Sequence, residues 1–313
     1  MSGPAGAAAR IAVVGSCNMD IVAFAPHLPA PGETVTGQRL LQVPGGKGAN
    51  QAVAAARAGG DVVMIGAVGD DAFGGLVHAS LQEAGVNVSG LRVGPQPTGT
   101  AHITVDSAGS NTIVVIPGAN AAVVDLTDAD RDAIGNSDVL LLQLELPQAV
   151  VTAAAAVAHR AGTTVLLTPA PVRPLPAELL ALIDLLVPNE HEASQLTGRA
   201  DAQDALDSLL AQVPAVVVTL GAAGCSYRRR AGAPIRVGAP AVPVVDTTAA
   251  GDTFTGALAV ALAEGKTVPG ALRWATSAAG LSVQHEGAAT SMPRREQIDA
   301  FAQGLESAVG AGR

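Results

Sequence analysis

At residues 246–255 the chain reads Asp-Thr-Thr-Ala-Ala-Gly-Asp-Thr-Phe-Thr. This segment follows a strand-like apolar stretch at 242–245 and leads into an apolar run that is typical of a helix. Its small residues therefore lie where a loop becomes a helix N-terminus. Because the first helical turn has free amide donors and the positive end of the helix dipole, Ala250 and Gly251 predict an anion site. Asp252 is then either a helix cap or a base directed at a substrate proton, and the segment alone leaves both interpretations open.

The segments before and after this loop alternate between predicted strands and predicted helices. Short apolar runs predict strands at 11–15, 62–68, 139–144, 163–167, 182–187 and 215–220. Helical patterns occur at 71–84, 148–160, 192–197, 202–212, 251–263, 268–281 and 293–308, and an Ala-rich helix ends near residue 58. Such alternation indicates a mainly parallel sheet with helices on both faces, so the expected fold class is α/β with three layers, α/β/α.

Two further segments are rich in strand-forming residues but lie outside this alternation. Residues 34–43 alternate in the manner of an exposed strand, and residues 98–105 and 112–118 form a predicted hairpin. We expect them to pair as a small separate sheet. Residues 1–10 are predicted to be a disordered tail rather than a signal peptide, and residues 11–313 a single domain.

Composition excludes several classes of protein. Charged residues are 14% and hydrophobic residues 49% of the 313 residues, which excludes a disordered chain. A net charge of −9 argues against a nucleic acid or an anionic membrane as partner. Cys17 and Cys225 are too few for a disulfide scaffold, which favours a reducing, cytoplasmic location. No apolar run approaches the ~18 residues that a membrane span needs.

Polar residues follow several of the predicted strands at their carboxyl ends, where α/β sheets bind ligands. Each group alone is also typical of a turn or a cap, but their shared position predicts one polar rim. The groups are Asn18 and Asp20, Gln143 and Glu145, Asn189 and Glu192, Thr219 with Gly221 and Gly224, and residues 246–252. A Gly-rich turn with Gly46, Lys47 and Asn50 also opens a helix.

The chemistry of this rim favours phosphoryl transfer to a sugar. Carboxylates and amides near Lys47 suit hydroxyl groups that both donate and accept. Gly-rich turns and a helix N-terminus suit phosphates, although neither a dinucleotide fingerprint nor a Walker loop is present. Phosphoryl transfer needs in-line positioning, charge stabilisation and one base, and Asp252 lies next to the predicted anion site.

Three motifs resemble signatures of the ribokinase (PfkB carbohydrate kinase) family. These are Gly-Gly-Lys-Gly-Ala-Asn-Gln at 45–51, Asn-Glu-His-Glu at 189–192 and the segment 246–254. The resemblance runs in order from about Ile11 to Phe301. It implies a ribokinase-like fold in which residues of about 18–43 and 97–118 form a β lid over the sugar.

The resemblance also implies ATP-dependent phosphorylation of D-ribose at O5, with Asp252 as base and Ala250 and Gly251 as the anion hole. Ribose would be bound by Asn18, Asp20, Gly46, Lys47, Asn50, Glu145 and Asp252. ATP would be bound by Asn189, Glu192, Thr219, Gly221, Gly224, Ala250, Gly251 and Thr276.

Two cations and a partner subunit follow from the same resemblance. Mg²⁺ would accompany ATP, largely through water at Asn189 and Glu192. Potassium or another monovalent cation would activate the enzyme, and a homodimer would form through the lid. The residues expected at the monovalent site are Asp246, Thr248, Ser282, His285, Gly287 and Ser291.

The sequence departs from the family pattern at two positions and leaves two other functions open. Thr168 stands where the family usually has Asn, and Thr276 where a His is common; we expect neither to touch the chemistry. One alternative is another sugar or nucleoside kinase, acting on deoxyribose, fructose or adenosine. The other is a catalytically silent sugar-binding sensor, which predicts loss of the base that Asp252 would supply.

Overall fold

The computed structural model describes residues 8–311. Its strands are β1 (Arg10–Val14), β2 (Asn18–Phe24), β3 (Arg39–Gly45), β4 (Asp61–Gly69), β5 (Asn87–Gly94), β6 (Gly99–Val105), β7 (Asn111–Ile116), β8 (Val139–Leu142), β9 (Thr164–Leu167), β10 (Leu185–Leu186), β11 (Ala215–Thr219), β12 (Cys225–Arg229) and β13 (Ile235–Val237). Its helices are α1 (Lys47–Arg57), α2 (Ala72–Glu83), α3 (Asp128–Gly135), α4 (Gln148–Ala161), α5 (Ala177–Leu180), α6 (Glu190–Thr197), α7 (Ala202–Leu210), α8 (Ala250–Ala263), α9 (Val268–Ser282) and α10 (Arg295–Ala311).

A nine-stranded sheet forms the centre of the fold, in the order β13-β12-β11-β10-β9-β8-β1-β4-β5. The strands from β11 through β5 pair in parallel, whereas β12 and β13 add antiparallel at one edge. Side chains of β1 alternate between two apolar clusters, with Ile11 and Val13 on one face and Ala12 and Val14 on the other. Because successive strand residues point to opposite faces, helices cover both sides. The predicted α/β fold with three layers is confirmed.

The small separate sheet is also present, in the order β3-β2-β6-β7. Strands β6 and β7 form the predicted antiparallel hairpin, and β2 pairs in parallel with β6. The sequence pattern does not predict β2, because Asn18 and Asp20 indicate the polar end of the preceding strand. The strand expected at 34–43 begins only at Arg39.

Several predicted elements differ from those in the structure. Residues 242–245 form no strand; Pro243 has no amide hydrogen to donate to a ladder, and Val244 and Val245 are exposed. The strand predicted at 182–187 shrinks to β10, because the amides of residues 182 and 183 close the turn of α5. Strand β5 and helix α3 were missed.

Residues 1–7 lie outside the described residues, and Arg10, which was placed in the tail, begins β1. Between residues 8 and 311, no helix is both long and apolar enough to cross a bilayer.

Helices α1 and α8 pack closely, and this contact positions the two Gly-rich motifs. Gly256 of α8 faces α1 so tightly that a Cβ there would lie 2.6 Å from the Cβ of Ala54. Both helices begin at the carboxyl edge of the sheet. The close packing therefore brings the first turns of α1 and α8, with Lys47 and Asp252, to the same rim.

Candidate active site

The N-terminus of α8 is built by an unusual backbone conformation. Ala249 has φ of 58° and ψ of 15°, in the left-handed region that costs a non-glycine residue ~1 kcal/mol. This residue turns the chain so that Ala250 starts the helix. The amides of Gly251 and Asp252 belong to the first turn, which has no intrahelical acceptors, so they are available to an anion. The strain lies where the sequence predicted an anion hole, as is common at functional sites.

Asp252 is a buried carboxylate rather than a helix cap, since the N-cap of α8 is Ala249. Its Oδ2 accepts a hydrogen bond from Asn50 Nδ2 at 3.2 Å, and its Oδ1 accepts one from Gln51 Nε2 at 3.0 Å. Burial raises the pKa of Asp252, and Lys47 and the two amides oppose that rise. The net direction is upward, which is what a base that must accept a proton near neutral pH requires.

Lys47 is the cation that faces the acidic side chains of the rim. Gly46, with φ of 88°, precedes it as the N-cap of α1. Burial lowers the pKa of Lys47, but surrounding carboxylates outweigh burial and the net pKa is raised, so the ammonium group stays charged. Those carboxylates belong to Asp252, Glu145, Glu192 and Asp20.

Glu145 is held at the start of α1 by two contacts. Its Oε2 accepts a hydrogen bond from Lys47 N at 3.0 Å and a second one from the Ser16 hydroxyl. Ser16 Oγ in turn accepts from Gly48 N at 3.2 Å. Ser16 therefore ties the end of β1 to α1, a role that the sequence did not reveal because a serine in a turn carries no distinctive signal.

Asn18 is also positioned by a residue that the sequence missed. Its Oδ1 accepts from Asn120 Nδ2 at 2.7 Å, which leaves the Asn18 amide hydrogens for other partners. Asn120 is itself fixed by both backbone groups of Cys17. The contact joins residues about a hundred positions apart, so no local pattern could have indicated it.

Asp20 lies among the same charged groups. Burial raises its pKa to about 7, with further increases from Glu145 and Asp252 and an opposing effect from Lys47. The carboxyl is therefore close to half ionised at neutral pH when no ligand is bound. A sugar hydroxyl that donates to Asp20 would favour the ionised form.

We expect Asp20→Asn to stabilise the ligand-free protein at pH 8. A folded-state pKa of about 7, above the ordinary 3.8, means that the stability from protonated Asp20 is present below pH 4 and is lost as the pH rises through 7. The neutral amide avoids that loss, so Tm at pH 8 should rise by roughly 5 °C, and the difference should shrink as the pH falls toward 4. Thermal unfolding across pH measures this, with the exposed Asp125→Asn as control. Equal Tm values at pH 8 would contradict the burial of this charge.

The nucleotide side of the rim is an open cleft. Asn189 caps α6 and forms a reciprocal capping box with Glu192, with distances of 2.8 and 2.9 Å. Asn189 also bridges to Thr219 at the end of β11. The cleft brings together most of the residues predicted for phosphate binding, namely Lys47, Asn189, Glu192, Thr219, Ala250, Gly251 and Asp252.

Other residues predicted on the nucleotide side do not line this cleft. Gly221 and Gly224 lie in the turn after β11. Thr276 is buried in α9, where its hydroxyl donates to Leu272 O at 2.7 Å and lies 3.7 Å from Cys225 Sγ. The hydroxyl of Thr276 is therefore occupied by its own helix.

Thr168 corrects an expectation from the sequence. It was expected not to touch the chemistry, but it lines the cleft beside Asp252. Its Oγ1 accepts from Gln51 Nε2 at 3.2 Å, and the same nitrogen donates to Asp252. The departure from the usual Asn is therefore linked to the predicted base through one residue, Gln51.

Two of the residues predicted for a monovalent cation, Thr248 and Gly287, contact Asp246 directly. Its Oδ1 accepts from the backbone and hydroxyl of Thr248, and its Oδ2 accepts from Gly287 N at 2.9 Å. Val283 O accepts from the amides of residues 245 and 246, which places the segment with Ser282 and His285 alongside. Ser291 lies in the following 3-10 turn. Carboxylate, hydroxyl and carbonyl oxygens are suitable ligands for a hard cation.

A divalent metal would find few direct protein ligands. Within the described part of the chain, no group of three His, Cys, Asp or Glu side chains is arranged to hold a metal ion. Asn189 and Glu192 offer oxygen atoms at the edge of the cleft. Mg²⁺ commonly binds through one or two carboxylates, waters and substrate phosphates, so these residues fit that cation.

The fold and the cleft are those of a kinase that phosphorylates a small hydroxylated molecule. Residues 8–295 match the model of the pfkB family of carbohydrate kinases, and the chain belongs to that family.

Individual relatives match more than nine-tenths of the chain. It is 44% identical over 298 residues to a ribokinase of Bacillus subtilis (strain 168), covering 93% of this chain and 98% of that protein. A ribokinase of Haemophilus influenzae is 40% identical, with 93% and 97% covered. Among solved structures, Arabidopsis thaliana ribokinase complexed with ribose and ATP superposes with a TM-score of 0.89 at 38% identity, covering 95% of this chain and 99% of that one.

Proposed function

We propose that this enzyme transfers the γ-phosphoryl group of ATP to O5 of D-ribose, giving D-ribose 5-phosphate and ADP. The observation that carries this proposal is the position of Asp252, a buried carboxylate at the N-terminus of α8 in the cleft that Lys47 also lines. Carboxylates and amides suited to a sugar adjoin it, and phosphate-binding residues occupy the cleft. The similarity to ribokinases over more than nine-tenths of the chain supports ribose as the acceptor.

In the proposed reaction Asp252 accepts the proton of the sugar hydroxyl. The O5 electron pair forms the new bond to the γ-phosphorus, and the bond from that phosphorus to the bridging oxygen breaks, so ADP leaves with the electron pair. Of the two residues predicted for the anion hole, Gly251 has a free amide that stabilises the charge on the transferred group, whereas the Ala250 amide already donates to Thr247 O at 3.2 Å. Lys47 lowers the pKa of Asp252 and so favours its ionised form before transfer, and it compensates the negative charge that the phosphates bring into the cleft.

The sugar-side residues divide the recognition of hydroxyl groups. Asp20 and Glu145 accept hydrogen bonds, while the side-chain amides of Asn18 and Asn50 and the Lys47 ammonium donate them. Gly46 brings backbone close to the sugar. These assignments are supported by the position of Asp20, Lys47, Asn50, Glu145 and Asp252 around one another.

On the nucleotide side, we assign ATP to the cleft and to the turn after β11. We assign Asn189, Glu192 and Thr219 to the phosphates and Gly221 and Gly224 to the nucleoside. Thr276, which was also predicted for ATP, is buried and its hydroxyl donates to Leu272 O, so it could act only by packing. Mg²⁺ supplies charge neutralisation between the phosphates when bound. Asn189 and Glu192 would orient its water ligands, because each keeps an acceptor lone pair beyond the capping box.

A substrate panel tests the proposed function. ADP release would be measured with ribose, deoxyribose, fructose and adenosine at equal concentrations, and ribose is expected to give the highest kcat/KM. A higher value with adenosine would favour a nucleoside kinase, and a higher value with another sugar would favour that sugar. Ribose binding without ADP release would favour a sugar-binding sensor.

We expect potassium to raise turnover above the rate in sodium, because the Asp246 loop would bind a large monovalent cation beside the N-terminus of α8. Rates in equimolar KCl and NaCl, with choline chloride as ionic-strength control, measure this effect. Asp246→Asn should reduce the difference between the two salts. Equal rates in KCl and NaCl for the unmodified enzyme would refute the cation site.

We propose that residues 11–313 form one catalytic domain in which the small sheet, within residues 18–43 and 97–118, acts as the lid. Its edge strand β7 exposes a row of apolar side chains from Ile113 to Ile116, which are 46–63% exposed. An exposed apolar edge strand of this length indicates a surface that binds another protein chain. A homodimer through the lid would cover it.

We expect the protein to elute as a dimer in size-exclusion chromatography with light scattering. Ile113 and Val114 point to opposite faces of the lid sheet, so Ile113→Glu and Val114→Glu test one face each. The variant that yields monomers identifies the face in the interface. Val244→Glu, at a valine that is 63% exposed outside the lid, should stay dimeric. Dimers in both lid variants would contradict the proposal.

We also propose a cytoplasmic location. Cys17 and Cys225 are both free and buried, as is usual in a reducing compartment.

A further inference from the structure

The side-chain amide of Gln51 makes three hydrogen bonds next to the proposed base. Gln51 lies in the second turn of α1 and is fully buried. Its Nε2 donates to Asp252 Oδ1 at 3.0 Å and to Thr168 Oγ1 at 3.2 Å. Its Oε1 accepts from Gln143 Nε2 at 2.7 Å. Both amide hydrogens and the oxygen are therefore in use.

The chemistry of the partners fixes the orientation of this amide. An ionised carboxylate only accepts hydrogen bonds, so the nitrogen of Gln51 must face Asp252 and its oxygen must face Gln143. Gln143 must then present its own nitrogen. The Oε1 of Gln143 is buried and has no partner in the part of the chain that the structure describes. Gln143 therefore donates its hydrogen bond to Gln51, and Gln143 acts on Asp252 through Gln51.

The two oxygens of Asp252 have different surroundings. Oδ1 is bound by Gln51, which has no exposed surface, so this oxygen faces the protein interior. Oδ2 is bound by Asn50 at 3.2 Å, and Asn50 is a proposed sugar ligand. When a sugar engages Asn50, Gln51 is the neutral donor that continues to hold the carboxylate.

We infer that Gln51, braced by Gln143, is a positioning residue that fixes Asp252 through Oδ1 so that Oδ2 receives the proton of the acceptor hydroxyl. This inference rests on the proposed function, because it concerns the base of that reaction. The proton moves from the sugar hydroxyl to Oδ2, and the bonds that form and break are those of the transfer already described. Gln51 exchanges no proton and only holds the acceptor in place.

A neutral donor at this position also favours the ionised form of the base without forming an ion pair with it. The charged groups that face Asp252 are Lys47, which lowers its pKa, and Glu145, which raises it. Asp20 also faces Asp252, which raises the pKa of Asp20. The hydrogen bond from Gln51 lowers the pKa further. Removing that donor should therefore raise the pKa of Asp252 and move the acid limb of the rate profile to higher pH.

The test compares Gln51→Met and Gln143→Met with the unmodified enzyme. Methionine preserves size but cannot donate, so Gln51→Met should lower kcat by about 10- to 100-fold, with KM for the sugar within about twofold. In the profile of kcat against pH, the acid limb of Gln51→Met should lie at higher pH than that of the unmodified enzyme. Gln143→Met should change kcat and the acid limb in the same direction by a smaller amount, and it keeps the test decisive if Gln51→Met does not fold.

Gln148→Met is the matched control. Gln148 makes one hydrogen bond, to Pro174 O at 3.1 Å, and does not line the cleft, so its kcat and pH profile should match those of the unmodified enzyme. A folded Gln51→Met variant with unchanged kcat and acid limb would overturn the inference, as would a fall in kcat without any pH shift in both variants.

The substrate panel on the unmodified enzyme is run first and separates the two proposals. If ribose is not the preferred acceptor, the proposed function fails, and the variants are then measured with the sugar or nucleoside that the panel selects. If ribose is preferred but the variants behave like the control, only the role of Gln51 fails.

Discussion

Asp252→Asn is expected to lower kcat by about 10²–10⁴-fold while ribose still binds. The amide has the shape of the carboxylate but cannot accept the proton of the sugar hydroxyl. Because Lys47, Asn50 and Gln51 surround the group, the change removes the base without opening a cavity. Single-turnover ADP formation measures the chemical step, and calorimetry measures ribose affinity.

The stability of this variant distinguishes loss of chemistry from loss of fold. Burial raises the pKa of Asp252, so its ionised form costs stability above the ordinary pKa of 3.8, and the neutral amide should give a Tm at pH 8 no lower than that of the unmodified enzyme. Asp201→Asn is the matched control, because Asp201 caps α7 and Asn caps equally well. If Asp252→Asn retained normal turnover, a base at this position would be ruled out.

Lys47→Met is expected to lower kcat/KM by about 10²–10³-fold, the range for removing one group that stabilises the charge developing in an active site. Four carboxylates, those of Asp252, Glu145, Glu192 and Asp20, face this ammonium group. Without it the pKa values of Asp20 and Asp252 should rise further, so fewer molecules have an ionised base at neutral pH. The added repulsion should also weaken ATP binding.

The sequence supplies a control for this change, because the chain has one other lysine, Lys266. Lys266 contacts Glu264 at 3.6 Å and lies over the Trp274 ring, and it does not line the cleft. Lys266→Met should therefore leave kcat/KM unchanged. The activity of Lys47→Met should recover in part as the pH is raised, since higher pH ionises Asp252 again. A pH-independent loss would mean that Lys47 acts only by contacting a substrate.

Local chemistry explains which elements were predicted correctly. The helix after the segment 246–255 and the hairpin of β6 and β7 depend on glycines, turn residues and side-chain periodicity, which act over a few residues. Elements whose existence depends on a distant partner were predicted poorly. Strand β2 exists because β3 and β6 pair with it, whereas residues 242–245 have no strand partner among residues 8–311 despite their apolar character.

The sequence by itself determined the α/β fold class, through the alternation of strand and helix patterns, and the two Gly-rich turns that open α1 and α8, through contiguous motifs. It also predicted Asp252 as the base. Only the tertiary structure decided how that carboxylate is held. Gln51 and Asp252 are 201 residues apart, and Thr168 and Gln143 reach Gln51 from separate strand ends. A hydrogen bond between such residues depends on the order of strands in the sheet and on the close packing of α1 against α8. Residues 246–255 therefore supply a carboxylate, and the fold supplies the side-chain amides that hold it in position.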